Sequence, residues 1–313
     1  MPSHRTPARL LDRLTSLELI VVTGKGGVGK TSLSAALGNL LTAAGRTVLL
    51  LETDPRESLH RLLDVPPSGG EIVDAGRRLF LQNLQPRTVL DDLVEERLKV
   101  GLLTRRVLAS PVYQHFAEGA PGLKEAAILG RALRIVEGHG PRRLRKVDTV
   151  ILDAPATGHG VTLLQAPLLV AEVIDSGPVH RMARDISAFL SDARRSGIVI
   201  ATLAEEMPVN ETLQLVELLD ARLARRPEAI VVNGLYPPVT GTGPEAATDD
   251  PALALWRERR CINDEQLGRL RDAWTGPLAE LPLLPIDPGP ALAGALARHL
   301  GEGLGATAAP EDP

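Results

Sequence analysis

Apolar positions along this chain switch repeatedly between two periods. Short runs rich in β-branched and aliphatic residues occur at Leu17 to Thr23, Thr47 to Glu52, Val147 to Asp153, Ile198 to Leu203 and Ala229 to Asn233, each followed by a helical pattern. That alternation predicts an α/β fold with a mostly parallel central sheet flanked by helices. Leu79 to Leu84 and Leu281 to Leu284 are weaker strand candidates, the second leading through proline-rich turns to a closing helix from about Pro290 to Leu300. The pattern does not encode the order of the strands.

Between Pro86 and Lys146 the strand pattern stops, and Leu90, Leu93, Val94, Leu98, Leu102 and Leu103 recur at helical spacing. Val161 to Val173 is again apolar, and Val179, Met182, Ile186, Phe189 and Leu190 keep the helical period up to the strand at Ile198. The economical expectation is one domain over 1–313 with a helical insertion subdomain built from about 86–146 and 160–195. Pro237 to Pro251, rich in proline, glycine and threonine, and the tail 301–313 are expected to be mobile. No internal repeat is visible.

Composition narrows the function classes. The chain has 313 residues, a formal net charge of -4 and 44% hydrophobic residues, enough for a real core and against wholesale disorder. A mildly acidic balance gives no electrostatic reason to expect nucleic acid as a partner. Cys261 is the only cysteine, which excludes an intrachain disulfide framework and any metal site needing two thiolates from one chain, and suits a reducing compartment. No run approaches the roughly 18 to 20 apolar residues needed to cross a bilayer. The first strongly apolar run, at Leu17, flows straight into a glycine loop rather than a cleavage site, so the expected location is cytoplasmic.

That glycine loop is the strongest chemical signal. Thr23-Gly24-Lys25-Gly26-Gly27-Val28-Gly29-Lys30-Thr31 follows an expected strand and leads into an alanine- and leucine-rich helical stretch, Ser32 to Ala44, the context a P-loop requires. The residues Gly24, Lys25, Gly26, Gly27, Val28, Gly29, Lys30, Thr31 and Ser32 are therefore expected to bind nucleotide. Glycines let backbone N-H groups wrap phosphates, and the helix N-terminus adds partial positive charge. Lys30 would meet the β and γ phosphates, and the Thr31 hydroxyl would ligate Mg²⁺. ATP and Mg²⁺ are the expected ligands and ATP hydrolysis the expected activity. Lys25 is additional to a generic P-loop. The chain holds five lysines against thirty arginines, and two of the five flank this run. A compact ammonium there acts as a point charge against a phosphate oxygen, or is a solvated surface lysine.

Lys25-Gly26-Gly27-Val28-Gly29-Lys30-Thr31 resembles the deviant P-loop ATPases, and three further segments are similar to the arsenite-pump and tail-anchored-protein-targeting branch, the anion-transporting ATPases. The resemblance spans about Leu17 to Leu300. It implies a P-loop NTPase fold and a nucleotide-sandwich dimer in which Lys25 reaches the nucleotide held by the other subunit. Thr53-Asp54-Pro55 looks like switch I, making Asp54 the water-positioning or general-base residue and one of the metal-site residues with Thr31 and Asp153. Asp153-Ala154-Pro155-Ala156-Thr157-Gly158-His159-Gly160 is similar to switch II. Asp153 would hold Mg²⁺ through water, with His159 a structural switch histidine; the proline falls one place early, and Gly160 replaces a usual threonine. Asn233, after Val231 and Val232, matches the asparagine that reads adenine, whose amide complements the N6 donor and N7 acceptor. Pro121-Gly122-Leu123-Lys124-Glu125 and Glu205-Glu206-Met207-Pro208-Val209-Asn210-Glu211-Thr212 also look like family segments, with no role assigned.

The resemblance leaves several loads for one engine. The favoured expectation is a homodimer, or a heterodimer with a paralogous ATPase, whose nucleotide cycle moves the helical subdomain against an unknown client protein or membrane partner. Alternatives are an ATPase subunit of a membrane transporter and a partition or positioning switch. With Cys261 alone, no shared zinc site of the Cys-x-x-Cys kind and no thiolate site for arsenite is expected.

Overall fold

The structure is a computed structural model and describes residues 7–98, 105–106, 108–140, 146–155, 160–238 and 250–304. Strands β1 (Leu19–Thr23), β2 (Val48–Glu52), β3 (Val73–Asp74), β4 (Leu79–Asn83), β5 (Thr149–Asp153), β6 (Ser196–Leu203), β7 (Ala229–Leu235) and β8 (Leu278–Pro282) form one sheet. Their order is β3-β4-β2-β5-β1-β6-β7-β8. All pairings are parallel except that of β3 with β4. The connection from β1 to β2 passes β5 on one side, and that from β5 to β6 passes β1 on the other. A crevice opens at the carboxyl ends of strands where connections diverge in this way.

The described helices are α1 (Pro7–Ser16), α2 (Lys30–Ala43), α3 (Leu59–Leu63), α4 (Pro86–Leu98), α5 (Pro111–Gly119), α6 (Leu123–Val136), α7 (Gly160–Val173), α8 (Gly177–Ser191), α9 (Glu206–Leu223), α10 (Pro251–Ala273) and α11 (Pro290–Gly303). Successive strand residues face opposite sides, so the wholly buried β1, β2 and β5 feed two cores. Ile20, Val22, Leu50 and Ile151 pack with α1, α2, α3 and α11. Leu19, Val21, Leu51 and Leu152 pack with residues of α4 to α10. Gly38 lets α2 approach the sheet: a Cβ there would stand 3.1 Å from Leu79 Cδ1 and 3.3 Å from Leu50 Cδ2.

On the other face α6 packs against α4, α7 and α8. Gly122 precedes α6 at φ 77° and sits so near Ala166 that an added Cβ would lie 3.2 Å from its Cα. The Pro121 to Glu125 segment thus marks a close helix approach. Several boundaries differ from expectation. β8 starts at Leu278 rather than Leu281 and ends at Pro282, and the two-residue β3 has no period to detect. The closing helix continues to Gly303, where Leu304 is buried; the tail beyond 304 lies outside the described residues, as do 239–249 of the Pro237 to Pro251 loop and Leu102 and Leu103. Among the described residues, no helix is long and apolar enough to cross a membrane.

Candidate nucleotide site

The glycine loop joins β1 to α2 beneath the carboxyl ends of β6 and β7. Gly24 has φ 143°, and a Cβ there would run into the Ala201 carbonyl oxygen. Gly29 has φ 87°, and a Cβ there would run into the Asn233 amide. Both positions are closed to any other residue. Gly29 precedes α2 without a side-chain cap, and the first turn carries no acidic residue, so its orphan N-H groups and positive dipole end are available to an anion. Lys30, only 6% exposed, folds back to donate from Nζ to the Lys25 carbonyl at 2.9 Å. Burial pulls the Lys30 ammonium below its usual pKa, while Asp153 and then Asp54 oppose the shift.

Strand alternation turns Asp153, at the end of β5, toward α2. Thr31 Oγ1 donates to its Oδ2 at 2.8 Å, and Ser34 Oγ donates to its Oδ1 at 3.1 Å. Burial pushes the Asp153 carboxyl up to about 6, against the pull of these hydroxyls and of Lys30. Across β4, β2 and β5 the register places Asn83, Glu52 and Asp153 in one row. Glu52 is buried, and Oε1 accepts from the Ser58 N-H at 2.6 Å and the Leu59 N-H at 3.2 Å. Burial raises this carboxyl to about 7, with Asp153 and Asp54 adding to the rise and the two N-H groups resisting it.

Asp54 itself is half-buried. Its Oδ1 accepts from the Arg56 N-H at 2.9 Å, and its carbonyl accepts from Asn83 Nδ2 at 2.7 Å. Neither Glu52 nor Asn83 was among the expected site residues. Glu52 left a signal, a charged residue ending an otherwise apolar strand; Asn83 left none. Switch II is described only through Pro155, so Ala156, Thr157, Gly158 and His159 lie outside the described residues.

Lys25 points away from the loop it belongs to. Its Nζ lies 2.8 Å from Glu211 Oε1 and also contacts Met207, both on α9, which places the unassigned Glu205 to Thr212 segment beside the site. Asn233 Nδ2 donates to the Val28 carbonyl at 3.1 Å, so one amide N-H is used and the second N-H and Oδ1 remain. Thr31 and Asp153 are thus hydrogen-bonded, and Lys30 and Asp54 lie near enough to act on Asp153 electrostatically.

The chemistry of these groups fits a nucleotide with Mg²⁺. Thr31, Asp153 and Asp54 offer the hard oxygen donors Mg²⁺ takes, and the Asp153 and Glu52 carboxyls, raised mainly by burial and further by neighbouring carboxylates, are groups whose charged form a cation would favour. The Thr53 hydroxyl is buried with no hydrogen-bond partner among the described residues. Among them, no group of three His, Cys, Asp or Glu side chains could hold a metal unaided.

Comparison with known proteins agrees. Residues 17–177, just over half of the chain, match the model of the anion-transporting ATPase family. "ATPase BagA" of Mycobacterium tuberculosis is 29% identical over 230 residues, 72% of this chain and 67% of the relative. The arsenical pump-driving ATPase of Escherichia coli is 28% identical over 275 residues, 77% of this chain but 42% of the relative. ATPase GET3 of Chaetomium globosum is 26% identical over 210 residues, 67% of this chain and 58% of the relative. The chain belongs to the anion-transporting ATPase family and is an ATP hydrolase.

Proposed function

We propose that this ATPase is a Mg²⁺-dependent dimeric switch, in which hydrolysis is coupled to movement of a helical subdomain, about 86–146 and 160–195, that binds a client or partner protein. The Gly24 to Ser32 backbone and Lys30 hold the phosphates, and Asn233 reads the adenine. Asp54 orients the attacking water as general base. Thr31, Asp153 and Asp54 are the residues that would hold Mg²⁺, which would supply charge neutralisation at the phosphate oxygens.

The observation that carries the dimer is the direction of Lys25. Its carbonyl faces Lys30, while its side chain, 28% exposed, carries the ammonium out to Glu211. An ammonium serving only its own loop has no reason to leave the phosphate cradle; one that serves a second copy or a paralogue must stand at the surface. Sedimentation of Asp54→Asn with Mg·ATP should give a dimer, while Lys25→Ala keeps ATP affinity and loses turnover. A monomer at every nucleotide state, or Lys25→Ala hydrolysing at the wild-type rate, refutes the reading.

A second reading, an ATPase subunit of a membrane transporter, is favoured by the name of the Escherichia coli relative. Recruitment of the chain to membranes only when a channel partner is coexpressed would support it.

A further inference from the structure

At the opposite end of the sheet from the nucleotide site, the amino ends of β6, β7 and β8 surround a cavity of about 610 Å³. That volume lies in the range of small-ligand sites. Four guanidinium groups line it, from Arg13 on α1, Arg194 before β6, and Arg225 and Arg226 before β7, against one carboxylate, Glu228.

Two of these arginines are fixed. Glu228 accepts from Arg13 Nε at 3.1 Å and Nη2 at 2.9 Å, which leaves it 3.9 Å from Arg225. Arg225, only 5% exposed, donates to the Ser196 carbonyl at 2.7 Å, to Ser196 Oγ at 3.1 Å and to the Leu190 carbonyl. Neutral acceptors orient that guanidinium without cancelling its charge. The other two stand at the mouth. Arg194 is exposed and paired with Asp192 at 3.0 Å. Arg226 is exposed, its Cζ 5.3 Å from the centre of the Trp274 ring, and among the described residues no carboxylate lies within ion-pair distance of it. The ring is buried and tied by Nε1 to the Pro277 carbonyl at 3.0 Å. A cation–π contact of this kind uses the charge and leaves the N-H groups of Arg226 open to an acceptor.

Four guanidinium groups against two carboxylates, Glu228 and the Asp192 that pairs with Arg194, leave this cavity net positive, and the unpaired Arg226 fork makes it complementary to a small anion with several charged oxygens. We propose that it binds a phosphate-type polyanion, through Arg226 with Arg194 and Arg13, at a site separate from the ATP loop.

Calorimetric titration of the full chain with inorganic pyrophosphate in EDTA tests this. Lys30→Ala should weaken binding at the glycine loop and retain one saturable site. Adding Arg226→Ala should weaken that remaining site by roughly 10-fold or more, the effect of losing a charged hydrogen bond. Arg194→Ala provides a second exposed substitution, and thermal melts verify that every variant is folded. No saturable site in Lys30→Ala, or equal affinity with and without Arg226, would overturn the proposal. ATP turnover of Arg226→Ala without pyrophosphate should match wild type, which separates a failure here from a failure at the ATP site.

Discussion

Asp153 and Asp54 stand at the ends of neighbouring strands and are held in opposite ways. Asp153 is 5% exposed, and hydroxyls from the first turns of α2 bind both its oxygens. It cannot shift without moving α2, which is packed against α11 and the sheet. Asp54 is half-buried, its carboxylate held by its own turn at Arg56 and its carbonyl by Asn83. One half of the site is therefore part of the core, and the other hangs from it by single bonds. In the proposed function, phosphate binding falls to the fixed half and the switch to the hanging half.

The contrast can be broken experimentally. The largest effect should come from removing Mg²⁺: turnover in EDTA should fall to background, and hydrolysis surviving chelation would take the metal out of the chemistry. Next, Lys30→Ala should weaken ATP binding by roughly 10- to 100-fold, the range for a charged hydrogen bond, measured by fluorescent-nucleotide titration. Asn83→Ala frees the Asp54 carbonyl but touches nothing in the glycine loop. It should cut kcat by about 10-fold while ATP affinity stays within about 2-fold, since a lost buried hydrogen bond costs about 1–3 kcal/mol. Equal losses in affinity and kcat would erase the distinction between the halves. The smallest effect is expected from Glu211→Ala. Its ion pair with Lys25 is part-exposed, so thermal stability should change by less than about 1 kcal/mol, while release of the ammonium favours the ATP dimer in sedimentation.

The two halves also differed in how far the sequence revealed them. The glycine loop is contiguous, so strand, turn chemistry and helix could be recognised together from Leu17 to Ala44. Asp153 ends an apolar strand, visible by its period and by resemblance. Asn83 acts on Asp54 across two strands through a carbonyl, and no spacing encodes such a bond; the β4 to β2 pairing had to be seen first. Glu52 was in plain view as the end of a strand, yet its partnership with Ser58 and Leu59 depends on where α3 begins. Strand order was illegible for the same reason, because it lies in long-range pairing. The arginine cavity draws on α1 and two separate loops around Arg194 and Arg225-Arg226, each unremarkable in its own stretch.

The most direct test is a paired measurement on Asp54→Asn, ATP affinity by titration and hydrolysis by single turnover. The expected result is affinity close to wild type with hydrolysis slowed by roughly 100- to 10,000-fold, the contribution of a positioned general base. Hydrolysis at the wild-type rate, or loss of affinity as large as that of Lys30→Ala, would contradict the division of the site into a binding half and a switching half.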